Sequence, residues 1–475
     1  MKTIDLLDEK ANPIRIIWYL AWPTMLEQIL LTLVSYVDTA MVGSLGPDAT
    51  ASIAVCASST WLINGIFAAI GIGFGVLAGR SLGAGDRIKT AAVMRQGVIA
   101  TVALGALFTG LMQLIAPHLP VWLGAEPAIR ADATAYIRIV GAAYIFSLGT
   151  NICSNIIRCS GDTKTPLIFN TATNLINVAL NFLFIYPTRT LSIFGWDFTM
   201  WGAGMGVKGA ALATSISIAF SGFMLLRAMY VKTPVTISLR DSYKPDWPII
   251  RQMCSLGAPV ALERITLSTG QIALTAIITG LGTNALAAHH LAVTAEGMTY
   301  LPAFGISAAA TTLVAQSLGA KKPALAQRYG KYTMIGGLIF MTVMGVVLFF
   351  TAEPLISLFT PAKDVVALGG SVLRLEAFAQ PFTALSMVAF GAMRGAGDTK
   401  RPFIICAIAM WAIRIPLAFV LARYTGLGLT GAWIAMVADL AIRGAIALAC
   451  FLRGRWVTAW RDKGEAAVER DAETA

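Results

Sequence analysis

"RCSGDTKTPLIF" (residues 158–169) and "RGAGDTKRPFII" (residues 394–405) are two versions of one segment, separated by 394 − 158 = 236 positions. "SLGAGDRIKTA" from Ser81 and "SLGAKKPALAQ" from Ser317 have the same separation, 317 − 81 = 236. Single residues follow the same spacing in four further pairs: Pro23 and Pro259, Glu27 and Glu263, Gly46 and Gly282, Arg138 and Arg374. A constant spacing over this distance predicts a duplicated chain with two similar halves.

The spacing changes once, near the end of each half. Gly209-Ala210 corresponds to Gly431-Ala432, so the separation there is 431 − 209 = 222. The first half has extra residues just before this point, around "TRTLSIFGWDFTMWG" (residues 188–202). We therefore expect a longer external loop in the first half.

The composition indicates a polytopic membrane protein. The 475 residues are 57% hydrophobic and only 13% charged, whereas soluble domains are about 45–50% apolar and about 25% charged. The net charge of +11 does not indicate nucleic-acid binding, because the basic residues lie mainly in short loops between apolar runs, where membrane topology explains them.

Twelve apolar runs are long enough to cross about 30 Å of hydrocarbon. The predicted spans are 16–43, 51–78, 91–115, 134–157, 166–187, 206–230, 251–279, 285–313, 330–351, 370–393, 402–424 and 428–453. Each half therefore contains six spans, and both halves enter the membrane in the same direction. This is a parallel repeat, for which a substrate path between the halves is expected.

The basic residues of the loops predict the orientation. Lys and Arg are concentrated in the loops that follow the even-numbered spans, so the positive-inside rule places both termini in the cytoplasm. We expect a cytoplasmic N-terminal segment (1–15), a first lobe (16–230), a cytoplasmic linker (231–250), a second lobe (251–453) and a charged cytoplasmic tail (454–475). The expected location is the inner membrane of a cell.

Several segments together resemble one transporter family. They are "P…VDTAMVGSLG" near residue 38, the two "SLGA" segments, the doubled GDT-K-x-P loops, "LINVALNFLFIY" and "LGTNALAAHHLA". The chain, from about Ile14 to Trp456, is similar to the multidrug and toxic compound extrusion (MATE) family, with its bacterial NorM-like and DinF-like branches. The resemblance implies an all-α membrane protein with twelve helices in two six-helix bundles around a central cavity. It also implies a secondary antiporter that exports amphipathic, often cationic, drugs or toxins in exchange for H⁺ or Na⁺.

A polar cluster is predicted in the first half. Asp38 is a carboxylate within span 1, and charged residues at this depth are costly and usually functional. Asn174, Asn177 and Asn181 are spaced i, i+3 and i+7, so they share one face of span 5. The resemblance assigns ion coupling to Asp38 and adds Thr214 of span 6 as a ligand. These side chains suit either a transported proton or a transported Na⁺, since hard cations prefer oxygen.

The spacing of 236 pairs this cluster with apolar residues in the second half. Asp38 corresponds to Leu274, and the three asparagines correspond to Met410, Ile413 and Leu417. A scaffold common to both halves would be polar in both. The sequence therefore predicts that the polar cluster of the first half has a function of its own.

The chain departs from known branches of the family. The DinF-like branch has a second Asp where this chain has Asn181, which argues against a site with two carboxylates. The NorM-like branch has acids in the second half at positions where this chain has Thr266 and Thr383. We therefore expect coupling through the first half.

Other polar residues are candidates for the substrate cavity: Glu27, Glu263, Glu296, Gln271 and Tyr36. Glu27 and Glu263 either attract cations in the cavity or form ion pairs, Glu263 with the adjacent Arg264. Elsewhere, Arg414 and Glu376 are a possible pair between spans 10 and 11. Asp439 and Arg443 are spaced i, i+4 and should bridge within span 12.

Two other transporter classes stay open as alternatives, a lipid-linked oligosaccharide flippase of the same superfamily and a major-facilitator transporter. The flippase should have a cavity richer in arginine for pyrophosphate. The major-facilitator loop motif is only partly matched by "GAGDRIKTA". We expect no enzymatic activity and no cofactor, because paired acids, zinc spacings and a Walker loop are missing from the sequence. A monomer in the lipid bilayer is expected.

Overall fold

A computed structural model describes residues 5–193, 196–238 and 240–459. Within these ranges the chain is almost entirely helical. The helices are α1 (Pro13–Gly43), α2 (Pro47–Gly83), α3 (Arg87–Ile115), α4 (Leu119–Trp122), α5 (Pro127–Ala142), α6 (Tyr144–Cys159), α7 (Lys164–Phe184), α8 (Gly206–Val231), α9 (Trp247–Thr279), α10 (Thr283–Tyr300), α11 (Ala303–Gly319), α12 (Pro323–Ser357), α13 (Lys363–Gly395), α14 (Lys400–Ile408), α15 (Ile415–Tyr424) and α16 (Gly428–Leu452). A π-helical segment, Ala409–Arg414, joins α14 to α15, and a 3₁₀ turn, Arg455–Val457, follows α16.

The twelve predicted spans correspond to these helices. Eight uninterrupted stretches are long and apolar enough to cross a membrane, and two bent helix pairs raise this number to ten. The helices α9 and α13, each of 33 residues, complete the twelve. The fold class predicted from the sequence is confirmed. Of the predicted tail, residues 460–475 lie outside the described residues, as do residues 1–4 of the N-terminal segment.

Two predicted spans are bent rather than straight. Helices α5 and α6 meet at 46°, and α10 and α11 meet at 45°. Pro302 lies at the second bend, where its missing N–H and its ring interrupt the helical hydrogen bonds. No proline lies at the first bend, at Ala143. Both spans, 134–157 and 285–313, were predicted as continuous.

The repeated GDT-K-x-P loops are helix starts. Gly161 and Gly397 both have positive φ, 98° and 82°, a conformation that glycine adopts without steric cost. Asp162 then accepts hydrogen bonds from the backbone N–H groups of Lys164 (3.1 Å) and Thr165 (3.0 Å). The carboxylate thereby satisfies N–H groups that have no partner within the first turn of α7.

The extra external residues of the first half form a β-hairpin. Strands β1 (Pro187–Ile193) and β2 (Trp196–Ala203) pair antiparallel between α7 and α8. The sequence predicted an external loop here without secondary structure. Next to the hairpin, the Arg189 guanidinium lies 3.9 Å from the centre of the Tyr186 ring, a distance typical of a cation–π contact.

The π-helical segment shifts the register of the repeat by one residue. Gly209 of α8 packs against the carbonyl oxygen of Phe184, and its counterpart Gly431 packs against that of Leu421. The separation between these two carbonyls is 421 − 184 = 237, not 236. A π-bulge accommodates one inserted residue without disturbing the helix on either side, so residues beyond the segment correspond with a spacing of 237.

This register corrects part of the predicted correspondence between the halves. Beyond the segment, Asn181 corresponds to Ala418 and not to Leu417. The counterpart of Asn181 is apolar in either register.

The internal contacts divide the chain into two compact units. Unit 1 consists of residues 1–28, 76–86 and 254–475, and unit 2 consists of residues 29–75 and 87–253. Helix α1 is thus divided between the units at residue 28. The two-lobe division at residues 230 and 251 stays a prediction.

Within unit 1, the start of the chain packs on helices of the second half. Ile16 and Leu20 of α1 belong to one buried apolar cluster with residues of α11, α12 and α13. Ahead of α1, the Tyr329 hydroxyl donates to the carbonyl of Leu6 (2.9 Å), and Lys322 binds the Glu9 carboxylate (3.0 Å). These contacts fix the N-terminal segment to the first turns of α12.

The ends of α2 and α11 cross in a reciprocal contact within unit 1. A Cβ atom added at Gly83 would lie 2.1 Å from the Gln316 carbonyl oxygen, and one added at Gly319 would lie 2.1 Å from that of Arg80. Both residue pairs are repeat counterparts, since 319 − 83 and 316 − 80 are each 236. The crossing therefore has an internal twofold relationship, and glycine is needed on both helices for the backbones to touch.

Candidate functional site

The predicted polar cluster of the first half is assembled in unit 2. Asp38 of α1 lies next to α7, and Asn181 donates a hydrogen bond from its Nδ2 to the Asp38 carboxylate at 2.8 Å. Asn177, one turn earlier on the same face of α7, contacts both Asn181 and Thr214 of α8. Three helices thus contribute the four side chains, as the helical spacing predicted.

The Asn177 amide fits the site in two orientations. In one, its Oδ1 accepts from Asn181 (3.2 Å), its Nδ2 donates to the Thr214 hydroxyl (3.3 Å), and its oxygen also faces the Asp38 carboxylate. In the other, its Nδ2 donates to the two Asp38 oxygens at 2.9 and 3.0 Å, while its oxygen accepts from the Thr214 backbone N–H at 3.3 Å.

The preferred orientation depends on the charge of Asp38. An ionised carboxylate accepts hydrogen bonds only, so it favours the orientation with the amide nitrogen towards it. With the amide oxygen towards the carboxylate, two acceptors face each other, and a proton or cation between them is required. By rotation of one amide, the site can therefore accommodate Asp38 both as a free carboxylate and with a bound proton or cation.

Burial differs across this cluster. Asn181 is only 2% exposed and Asn177 is 7% exposed, whereas Asp38 and Thr214 are partly exposed. Asn174 has a buried Nδ2 without a hydrogen-bond partner among the described residues, so it lies on the predicted face but outside the network. The carboxylate is thus accessible on one side and held by buried amides on the other.

Two tyrosines near the site were not predicted. The Tyr186 hydroxyl contacts the Ser44 hydroxyl (2.9 Å) and the Met41 carbonyl (3.1 Å), so it ties the end of α7 to α1. Tyr136 of α5 interacts electrostatically with Asp38. The sequence gives no direct signal for these contacts, because each depends on how separate helices pack.

The residues predicted for the substrate cavity do not form one group. Glu263 is buried, and its carboxylate binds Arg394 at 2.6 Å, so its main partner is not the adjacent Arg264. Glu27 is also buried. Gln271, Tyr36 and Glu296 are partly exposed. Their role in substrate binding stays a prediction.

A second charged cluster lies in unit 1. The carboxylate of Asp439, which is completely buried, binds Arg443 at 2.5 Å and Arg414 at 2.6 Å. The predicted i, i+4 bridge between Asp439 and Arg443 is confirmed. The predicted pairing of Arg414 with Glu376 is wrong, because the Arg414 guanidinium binds Asp439.

The comparisons agree with this architecture. The MatE family profile matches the chain twice, at residues 23–183 and 259–420, and the starts of the two matches are separated by the 236 residues of the repeat. A Thermotoga maritima protein named "Probable multidrug resistance protein NorM" is 31% identical over 443 residues, which cover 92% of each chain. A Bacillus subtilis protein named "Uncharacterized transporter YisQ" is 24% identical and covers 97% of this chain and 98% of its own.

Solved structures show the same fold. A crystal structure of "MATE in complex with MaD3S" superposes with a TM-score of 0.87 at 23% identity, and it covers 97% of this chain and 99% of the other. The family match covers most of both halves of the sequence, including Asp38 and the asparagines of α7. The chain therefore belongs to the MatE family of multi-pass membrane transporters.

Proposed function

We propose that the protein is a secondary active multidrug efflux transporter. It exports amphipathic, often cationic, compounds in antiport with H⁺ or Na⁺ by alternating access. It lies in the cell (inner) membrane with both termini in the cytoplasm. Relatives named as multidrug resistance proteins support the substrate class, and the polar cluster around Asp38 supports the ion coupling.

The observation that carries the proposal is a carboxylate within a membrane-spanning helix that is bound by amides and by no basic side chain among the described residues. Asn181 donates to Asp38 at 2.8 Å, and Asn177 can donate to both of its oxygens. A permanent salt bridge would hold the carboxylate in one charge state. Neutral amides leave it free to bind and release a cation, which antiport requires.

Rotation of the Asn177 amide supplies a mechanism for this exchange. When Asp38 is ionised, the amide nitrogens of Asn177 and Asn181 neutralise part of its charge. When Asp38 carries a proton, its hydroxyl donates to the Asn177 oxygen. A transported Na⁺ would instead be bound by carboxylate, amide and hydroxyl oxygens, which are the ligands that hard cations prefer.

The test is efflux of a fluorescent cation from everted membrane vesicles. Proton and sodium gradients are imposed separately, and the gradient that drives efflux identifies the coupling ion. Asp38→Asn removes the charge with little change in size, so we expect gradient-driven efflux to be lost. Asp48→Asn is the matched control, because Asp48 is an exposed residue in the first turn of α2 and should leave efflux unchanged. Equal efflux from both variants would contradict the proposed role of Asp38.

A further inference from the structure

Two polar side chains of α13 are completely buried. Glu376 and Gln380 are each 0% exposed, and neither of the two carboxylate oxygens nor either amide atom has a hydrogen-bond partner among the described residues. They are four residues apart, so they lie on one face of the helix. Gly345 of α12 packs directly against Gln380.

Two of the charged groups that interact with Glu376 are acids, and the third is a base that is already paired. Glu296 of α10 and Asp439 of α16 are acidic, and Arg414 is the only basic group that interacts with it among the described residues. The Arg414 guanidinium, together with that of Arg443, binds Asp439.

The remaining neighbours do not supply a counter-ion. Tyr300 interacts with Glu376 and also with Arg264, but Arg264 interacts with Glu263 and not with Glu376. His289 interacts with Arg414. An ionised Glu376 would therefore be buried beside two other acids without a hydrogen-bond donor, which costs several kcal/mol.

The irregular helix beside this group is a second, independent observation. Arg414, which interacts with Glu376, is the last residue of the π-helical segment. π-bulges occur frequently at functional sites. The charged cluster of the second half therefore includes a residue of an irregular helical segment.

We propose that Glu376 is a second proton-binding carboxyl group. The proton is held on Glu376 while Asp439 stays ionised between Arg414 and Arg443. Glu296, which interacts with Glu376, is partly exposed. These acids lie at other positions than Thr266 and Thr383, where the NorM-like branch has its second-half acids. The proposal does not depend on the identity of the exported compound.

Infrared spectroscopy of the purified, reconstituted protein at neutral pH tests the proposal directly. A protonated carboxyl group has a carbonyl stretch that an ionised carboxylate lacks. We expect such a band, and we expect ¹³C labelling of the glutamate carboxyl groups to shift it, whereas labelling of aspartate does not. Glu376→Gln should remove the band, and Glu353→Gln, at an exposed ion pair on α12, should retain it. The absence of a glutamate band, or its persistence in Glu376→Gln, would overturn the assignment.

Thermal unfolding gives a readout that is independent of the spectra. Glutamine resembles a protonated glutamate, so Glu376→Gln should have the Tm of the wild type at acidic pH, where the glutamate of the unfolded wild type is protonated as well, and a higher Tm at neutral pH, where that glutamate is ionised. As the pH rises, the wild type should lose stability relative to the variant, because only its folded state binds this proton. A Tm of Glu376→Gln well below that of Glu353→Gln at neutral pH would show instead that Glu376 is an ionised partner of Arg414. Neither measurement involves transport, so a failure here is distinct from a failure of the proposed function.

Discussion

Replacing Gly319 by alanine should separate two helices that touch through their backbones. The new Cβ would lie 2.1 Å from the Arg80 carbonyl oxygen, whereas ordinary contacts of this kind are 3.4–4 Å long. Since the obstacle is backbone, a side-chain rotation cannot relieve it, and α2 and α11 must move apart by about 1 Å. Overpacking of this kind costs about 1–3 kcal/mol.

The matched control is Gly336→Ala in α12. A Cβ atom at Gly336 would meet nothing within 4 Å, so alanine there should stabilise the helix by about 0.5–1 kcal/mol. Equilibrium unfolding of both purified variants in mixed micelles measures the difference. We expect Gly319→Ala to be less stable than the wild type and Gly336→Ala to be at least as stable.

The double variant Gly83→Ala/Gly319→Ala tests the reciprocal geometry. One separation of the helices relieves both clashes, so the two costs should not add, as is usual for residues that share a contact. The double variant should lose about as much stability as one single variant does. Full additivity, or a Gly319→Ala protein as stable as Gly336→Ala, would refute the reasoning from this crossing.

Three further substitutions have defined outcomes. Glu263→Gln leaves the buried Arg394 without its partner and should lower the free energy of unfolding by about 3–5 kcal/mol, whereas Glu353→Gln at the exposed pair should cost at most about 1 kcal/mol; equal losses in chemical unfolding would contradict the difference in burial. Asp162→Ala removes the acceptor at the start of α7 and should cost about 1 kcal/mol, measured in the same way. Tyr186→Phe removes the hydroxyl that contacts α1 and should lower the free energy of unfolding by about 0.5–1.5 kcal/mol. Hydrogen exchange should show a loss of protection that is confined to the ends of α1 and α7.

The helical architecture was predictable because apolar length is a direct physical requirement of the bilayer. All twelve predicted spans coincide with helices to within about one or two turns. The bend at Ala143 was not predictable, because no proline marks it and the packing of α5 and α6 decides it. The β-hairpin was missed for a different reason, since its residues were recognised only as an insertion relative to the other half.

The inserted residue of the π-helical segment was hidden from the sequence comparison. The spacing of the repeat falls from 236 to 222 between the helices that contain Phe184 and Gly209, and a single extra residue disappears within that larger change. Only the packing of Leu421 against Gly431 reveals it.

The positions of site residues were predictable where the spacing along a single helix determines them. Asn177 and Asn181 were placed correctly by their spacing, and so was the bridge between Asp439 and Arg443. The partner of Arg414 was not, because the choice between two acids on different helices depends on packing. The roles of these residues in ion coupling stay predictions.

The π-helical segment also limits how the two halves can be exchanged in protein engineering. A gene fusion that carries residues 400–424 into the place of residues 164–188 by simple numbering would misplace every side chain beyond the segment by one position. One residue in an α-helix corresponds to a rotation of about 100°, so Ala418 would no longer face where Asn181 does. Deleting one residue between 409 and 414 would bring residues 415–424 into register with residues 178–187. A chimera built with that deletion should keep the packing of this helix on Gly209 of α8, whereas the undeleted exchange should disturb it.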